Sequence, residues 1–166
     1  MKKIGILIIV SWFIFGFGLS KQAQKKINKT IAALWPEKEI QKTPIQLPQE
    51  YRGDRLLKLE NKSTNEGYAY LSQAASRSDK IDYMVIFNPD LSVLKVQVLV
   101  YREDYGGEVG SKRWLKQFVG KSGGEKMKFG HDIQNISGAT ISARSLTKGV
   151  TELSKNIKEL KSKGLL

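Results

Sequence analysis

The stretch "NISGATISARSLTKGV", residues 135–150, gathers Ser137, Gly138, Ala139, Thr140 and Ser142 where a small-residue turn runs into an amphipathic helix. Two chemistries fit that placement. Hydroxyl residues cap helix N-termini, with glycine supplying the bend before them. Alternatively, an anion such as a phosphate sits there, where unpaired N–H groups and the positive end of the dipole meet it. In that second case Gly138 lets the backbone approach, Ala139 adds no bulk, and a hydroxyl could bear the group covalently. A second cluster lies upstream. Glu103, Tyr105, Gly106 and Gly107 belong to the run 102–130, which carries seven glycines and so allows close approach to a ligand. Trp114 follows in "SKRWLKQF"; its ring could stack on a flat ligand or anchor a short helix. Other chemistries are excluded. The chain has no cysteine, which removes disulfides, iron–sulfur clusters and thiol catalysis. His131 is the only histidine, so no metal site can be assembled around it. Asp132 reads as a local turn cap. There is no nucleophile–base pair and no P-loop.

Those residues need elements to hold them. Leu146, Val150, Leu153, Ile157 and Leu160 step by four and three, an apolar stripe that predicts a terminal helix over 142–162 covering one face of a sheet. The sheet itself is predicted from 55–61, 67–74, 80–88 and 91–101. In the third of these Ile81, Tyr83, Val85 and Phe87 alternate on one face. Leu94, Val96, Val98 and Val100 do the same in the fourth. Short turns between them imply antiparallel pairing. Residues 111–118 predict one or two helical turns, and 21–35 a helix with Ile27, Ile31 and Leu34 at helical spacing. Pro36, Pro44 and Pro48 punctuate what reads as a polar connector. The fold class is α+β: an antiparallel sheet covered by a C-terminal helix, preceded by an N-terminal membrane or signal helix.

The 166 residues divide into a signal peptide or membrane anchor (1–20), a helical and proline-containing connector (21–50) and a ligand-binding domain (51–166). Lys2 and Lys3 precede an uncharged run from Ile4 to Leu19, the layout of an export signal. As a helix that run spans about 24 Å, which flanking residues can extend toward the roughly 30 Å of a bilayer core. Gly18 and Ser20 also make a small-x-small pattern suited to cleavage. Lys21, Lys25, Lys26 and Lys29 follow the run, a charge bias that runs against export. The net charge of +12 attracts anionic partners, but the basic residues are scattered without a dense block, so no nucleic-acid partner is expected.

"SGATIS" at 137–142, with "EDYG" at 103–106 and "WLKQFVGK" at 114–121 in the same order, resembles the FMN-binding domain family over about residues 65–153. That family includes the C subunit of the sodium-pumping NADH:quinone reductase and the G subunit of Rnf electron-transport complexes. Its motif ends in Ser/Thr-Gly-Ala-Thr, whose final threonine carries FMN through a phosphoester bond; here that residue is Thr140. The resemblance implies cofactor contacts from Ser137, Gly138, Ala139, Ser142, Glu103, Tyr105, Gly106, Gly107 and Trp114. The chain departs from the pattern at Gln134, where the family commonly has aspartate. It departs again at Tyr105 and Glu108, where proline and glycine are usual. A separate flavin transferase, acting outside the cytoplasm, is implied for maturation, and membrane redox proteins are the implied partners. The implied activity is electron transfer by a tethered flavin rather than a self-sufficient enzyme. The implied location is the cell membrane, through a single-pass N-terminal anchor with the domain outside the cytoplasm, or export after signal cleavage. The competing expectation is a flavin-free, membrane-anchored scaffold of the same fold.

Overall fold

A computed structural model describes residues 18–166. Its centre is a five-stranded antiparallel meander in the order β1-β2-β3-β4-β5. The strands are β1 (Gln41–Ile45), β2 (Arg55–Asn61), β3 (Thr64–Ala75), β4 (Lys80–Phe87) and β5 (Val93–Val100). Helix α1 (Lys21–Leu34) precedes the sheet; α2 (Lys112–Leu115) and α3 (Thr140–Ser162) follow it. This is the expected α+β arrangement, with α3 on one face. The expected membrane or signal segment falls mostly on residues 1–17, outside the described residues. Among the described residues no helix is long and apolar enough to cross a membrane.

Each sheet face has its own apolar cluster. Tyr70, Tyr83, Val85 and Phe87 pack with Leu146, Val150, Leu153, Ile157 and Leu160 of α3. On the other face Leu59, Ala69, Leu71, Met84 and Ile86 pack with Ala23, Ile27 and Ile31 of α1. Burial on both faces explains why β4 is almost wholly apolar or buried along its length. Two details differ from the sequence reading. The connector holds β1, which pairs with β2 from Gln41↔Glu60 to Ile45↔Leu56. As an edge strand it accommodates Pro44, which has no N–H to donate. In β5 the alternation does not run through: Val96 and Val98 face α3, whereas Leu94 and Val100 pack on the α1 side. The pairing of β4 with β5 slips twice, at Asp82/Tyr83 and at Ile86/Phe87. Each extra residue shifts the side-chain phase.

Candidate functional site

Helix α3 opens at Thr140, two residues ahead of the expected start, and its N-cap is Ala139, with no side chain bonded to the first turn. The hydroxyls therefore do not serve as caps. Thr140 Oγ1 reaches back to the Ile136 carbonyl at 3.4 Å, and Ser142 Oγ lies 3.2 Å from the Tyr101 hydroxyl. The amides of Thr140, Ile141 and Ser142 have no hydrogen-bond partner among the described residues. The first turn holds no acidic residue. A helix start that lacks both a cap and a carboxylate keeps its positive field for something else. Gly138 sets the approach: its φ of +79° turns the chain into α3, and a side chain there would meet open space. Glycine is required here by the backbone alone.

The glycine-rich loop faces this turn. Gly106 has φ +80°, and a Cβ on it would stand 2.9 Å from Ala139 Cβ and 3.0 Å from the Tyr101 oxygen. Loop and helix start are thus in contact. Tyr101 ties them together by donating to the Tyr105 carbonyl at 2.8 Å, which leaves Ser142 to donate to the Tyr101 oxygen. The result is a cleft of about 530 Å³ between Arg77, Ser78, Tyr101, Glu103, Asp104 and Tyr105 on one side and Gly138 to Ser142 on the other. That volume lies in the range of small-molecule sites, about 300–1,000 Å³. Two large apolar side chains stand exposed at its edges, Tyr105 at 86% and Ile141 at 56%.

Glu103 lines the cleft and is a hydrogen-bond acceptor, with its bonds going to the β3–β4 turn. Its carboxylate accepts from the Ser76 hydroxyl, from the Ser78 N–H at 2.7 Å and from the Asp79 N–H at 3.2 Å. The Ser76 hydroxyl first, and then the Ser78 N–H, hold this carboxyl below its ordinary value. Glu103 thereby fastens the β3–β4 turn, which carries Arg77 and Ser78 to the cleft wall. The next residue back is fixed too: Arg102 forks onto Asp82, with Nη2 to Oδ2 at 2.6 Å and Nη1 to Oδ1 at 3.2 Å.

Gly138, Ala139, Thr140, Ser142, Glu103 and Tyr105 line the cleft, and Gly106 packs behind it. Ser137 and Gly107 are exposed but not part of its lining. Trp114 is elsewhere. It is 6% exposed, edge-on to Phe118 at 5.5 Å between centroids, and its indole N–H donates to the Gln134 carbonyl at 2.7 Å. Its ring is an anchor of the core. Sequence reasoning missed Tyr101, Arg77 and Ser78; the tyrosine after a strand and the "SRSD" turn carry no periodic or motif signal. His131 and Asp132 bond to each other at 2.9 Å, and Asp132 caps the Lys128 N–H at 2.8 Å, as a local turn would. No group of three or more acidic or histidine side chains suited to a metal occurs among the described residues.

The chemistry of the cleft, with its hydroxyl, open amides and exposed apolar rims, fits a phosphorylated aromatic cofactor. Residues 77–155 match the family model of the FMN-binding domain. The matched span runs from Arg77 on the cleft wall through the glycine-rich loop into α3, and so contains nearly all of the cleft. No curated protein matches the chain.

Proposed function

We propose that this chain is a flavoprotein that carries FMN covalently on Thr140 and passes electrons between membrane redox partners. The observation that supports it is the combination at one point of the Thr140 hydroxyl, three unpartnered amides and the adjoining cleft. A phosphoester on Thr140 would put its oxygens among those N–H groups. Tyr105 and Ile141 offer the apolar contact that a flavin ring takes. The bound flavin supplies the redox chemistry, and the protein supplies orientation and electrostatics. On this reading attachment is a transfer from FAD. The Thr140 oxygen bonds to the FMN-side phosphorus, the pyrophosphate link breaks, AMP leaves, and the hydroxyl proton is released. An external flavin transferase catalyses it. The uncharged run from Ile4 to Leu19 supports an anchor, with the domain outside the cytoplasm where that transferase acts.

The test is intact-mass spectrometry with peptide mapping after co-expression with a flavin transferase. Wild type should carry one FMN-sized adduct on the peptide containing Thr140, and Thr140→Ala none. The substitution should leave the fold in place, at a cost below about 1 kcal/mol, since it removes only one long hydrogen bond. An adduct that persists on Thr140→Ala, or its absence from wild type, overturns the proposal; the second outcome favours a flavin-free scaffold.

A further inference from the structure

Helices α1 and α3 flank the same sheet and both are basic, but only α3 carries acidic residues, Glu152 and Glu159. Of the cations on α3 and its C-cap, Lys148 pairs with Glu152 at 3.8 Å and Lys163 with Glu159 at 2.7 Å, whereas Arg144, Lys155, Lys158 and Lys161 have no ion pair among the described residues. Helix α1 has four lysines and no acidic residue in its fourteen positions. Lys21, Lys25 and Lys29 are exposed, and none has an ion-pair partner among the described residues. At 3.6 residues per turn they lie within about 80° of arc. That arc is opposite Ala23, Ile27, Thr30 and Ile31, the residues α1 buries. Lys42 of β1 joins the same surface by donating to Asn28 Oδ1 at 2.7 Å.

This pattern works against the helix that carries it. Like charges at i,i+4 repel, and Lys21 occupies the first turn, where the dipole favours anions. The helix is otherwise properly built: Ser20 caps it through the Ala23 N–H at 3.1 Å, and its inner face is apolar. A locally unfavourable arrangement on a sound element points to an external partner. The uncharged run ends at Leu19, two residues before Lys21, so the cations follow directly on the segment suited to a bilayer. We propose that the outer face of α1 seats on anionic lipid headgroups, with Lys21, Lys25 and Lys29 as the contacting cations. This goes beyond the flavin reading and does not depend on it.

The test uses the full chain reconstituted with phosphatidylcholine vesicles and with vesicles containing one quarter phosphatidylglycerol. A water-soluble acylating reagent is applied from outside and the modified lysines are mapped by mass spectrometry. Lys148 and Lys161, exposed on α3 across the sheet, normalise the labelling. In the anionic vesicles Lys21, Lys25 and Lys29 should react about fivefold less, equivalent to about 1 kcal/mol per basic residue at such a surface. The protection should vanish in 1 M salt, where the screening length falls to about 3 Å. Recruitment to the anionic vesicles alone also supports the proposal, provided that the triple variant K21Q/K25Q/K29Q loses it. Equal reactivity in the two compositions overturns the proposal, as an acidic protein partner would require. So does protection that survives high salt, or failure to associate with either vesicle.

Discussion

The segment 134–142 separates two clefts that use their polar groups differently. On the Trp114 side, a cleft of about 320 Å³ is lined by Ser111, Trp114, Gln117 and Gln134 among others. Its groups bond to one another. The indole N–H donates to the Gln134 carbonyl, the Gln134 N–H donates to Gln117 Oε1 at 2.9 Å, and Gln117 Nε2 returns to the Trp114 carbonyl at 3.0 Å. On the Thr140 side Tyr101, Ser142 and Glu103 are bonded too, but three amides are unpartnered, the Thr140 hydroxyl makes one long bond, and two apolar side chains stand in solvent. One side is a clasp, and the other leaves polar and apolar groups open to solvent. The clasp holds the strand of chain whose far side must stay available, which is how a rigid scaffold presents reactive groups.

Breaking the clasp should give the largest effect. Trp114→Ala removes a buried ring and orphans the Gln134 carbonyl, for a cost of about 3–5 kcal/mol. It should appear as a lower urea midpoint. Chains that remain folded should still accept the FMN adduct on Thr140, because Trp114 does not reach that cleft. Loss of attachment from folded Trp114→Ala chains would join the two clefts into one site.

The open side is more sensitive to backbone than to packing, and two glycines separate those contributions. Gly106→Val places a branched side chain at φ +80° against Ala139 and Tyr101, whereas Gly138→Ala meets only its φ of +79°. Gly106→Val should cost about 1–3 kcal/mol and Gly138→Ala about 1 kcal/mol, read from urea midpoints at constant slope. On flavinylated protein, Gly106→Val should also shift the absorption band while leaving the covalent adduct. Equal stability losses in the two variants would refute the contact between loop and helix start.

What the sequence disclosed follows the same division. Gly138 and the glycine-rich loop were legible because glycine marks backbone freedom, and α3 because its stripe is long and regular; at Thr140 residue type left a cap and an anion seat open, and the resemblance of "SGATIS" singled it out. Trp114 was ambiguous, since an aromatic ring suits a ligand or a core equally; only its bond to Gln134 decides. Strand β1 was hidden because "QKTPI" is largely exposed and includes a proline, so no alternation marks it. Arg77 and Ser78 were hidden for another reason. Their place at the cleft is set by Glu103, far along the chain, and long-range hydrogen bonds leave no periodic trace.

That last link gives the smallest and most local effect. The Glu103 carboxylate accepts from Ser76, Ser78 and Asp79 most strongly when ionised, and these bonds hold it below its ordinary value of 4.5. A carboxyl depressed in the folded state contributes its full stabilisation above the unfolded value. It loses that contribution as pH falls through the lower, folded value. The β3–β4 turn should therefore be tight at neutral pH and loosen below 4.5. Hydrogen exchange at the Ser78 and Asp79 amides should report it, quickening relative to the β4 interior as the medium is acidified. Asp132 is also depressed, chiefly by the Lys128 N–H, so acid acts elsewhere as well and a paired variant is needed. In Glu103→Gln the turn amides should exchange faster already at neutral pH, with no further change between pH 5 and 3 beyond the intrinsic rate. An acid response as large in Glu103→Gln as in wild type would remove Glu103 as the tie that carries Arg77 to the cleft.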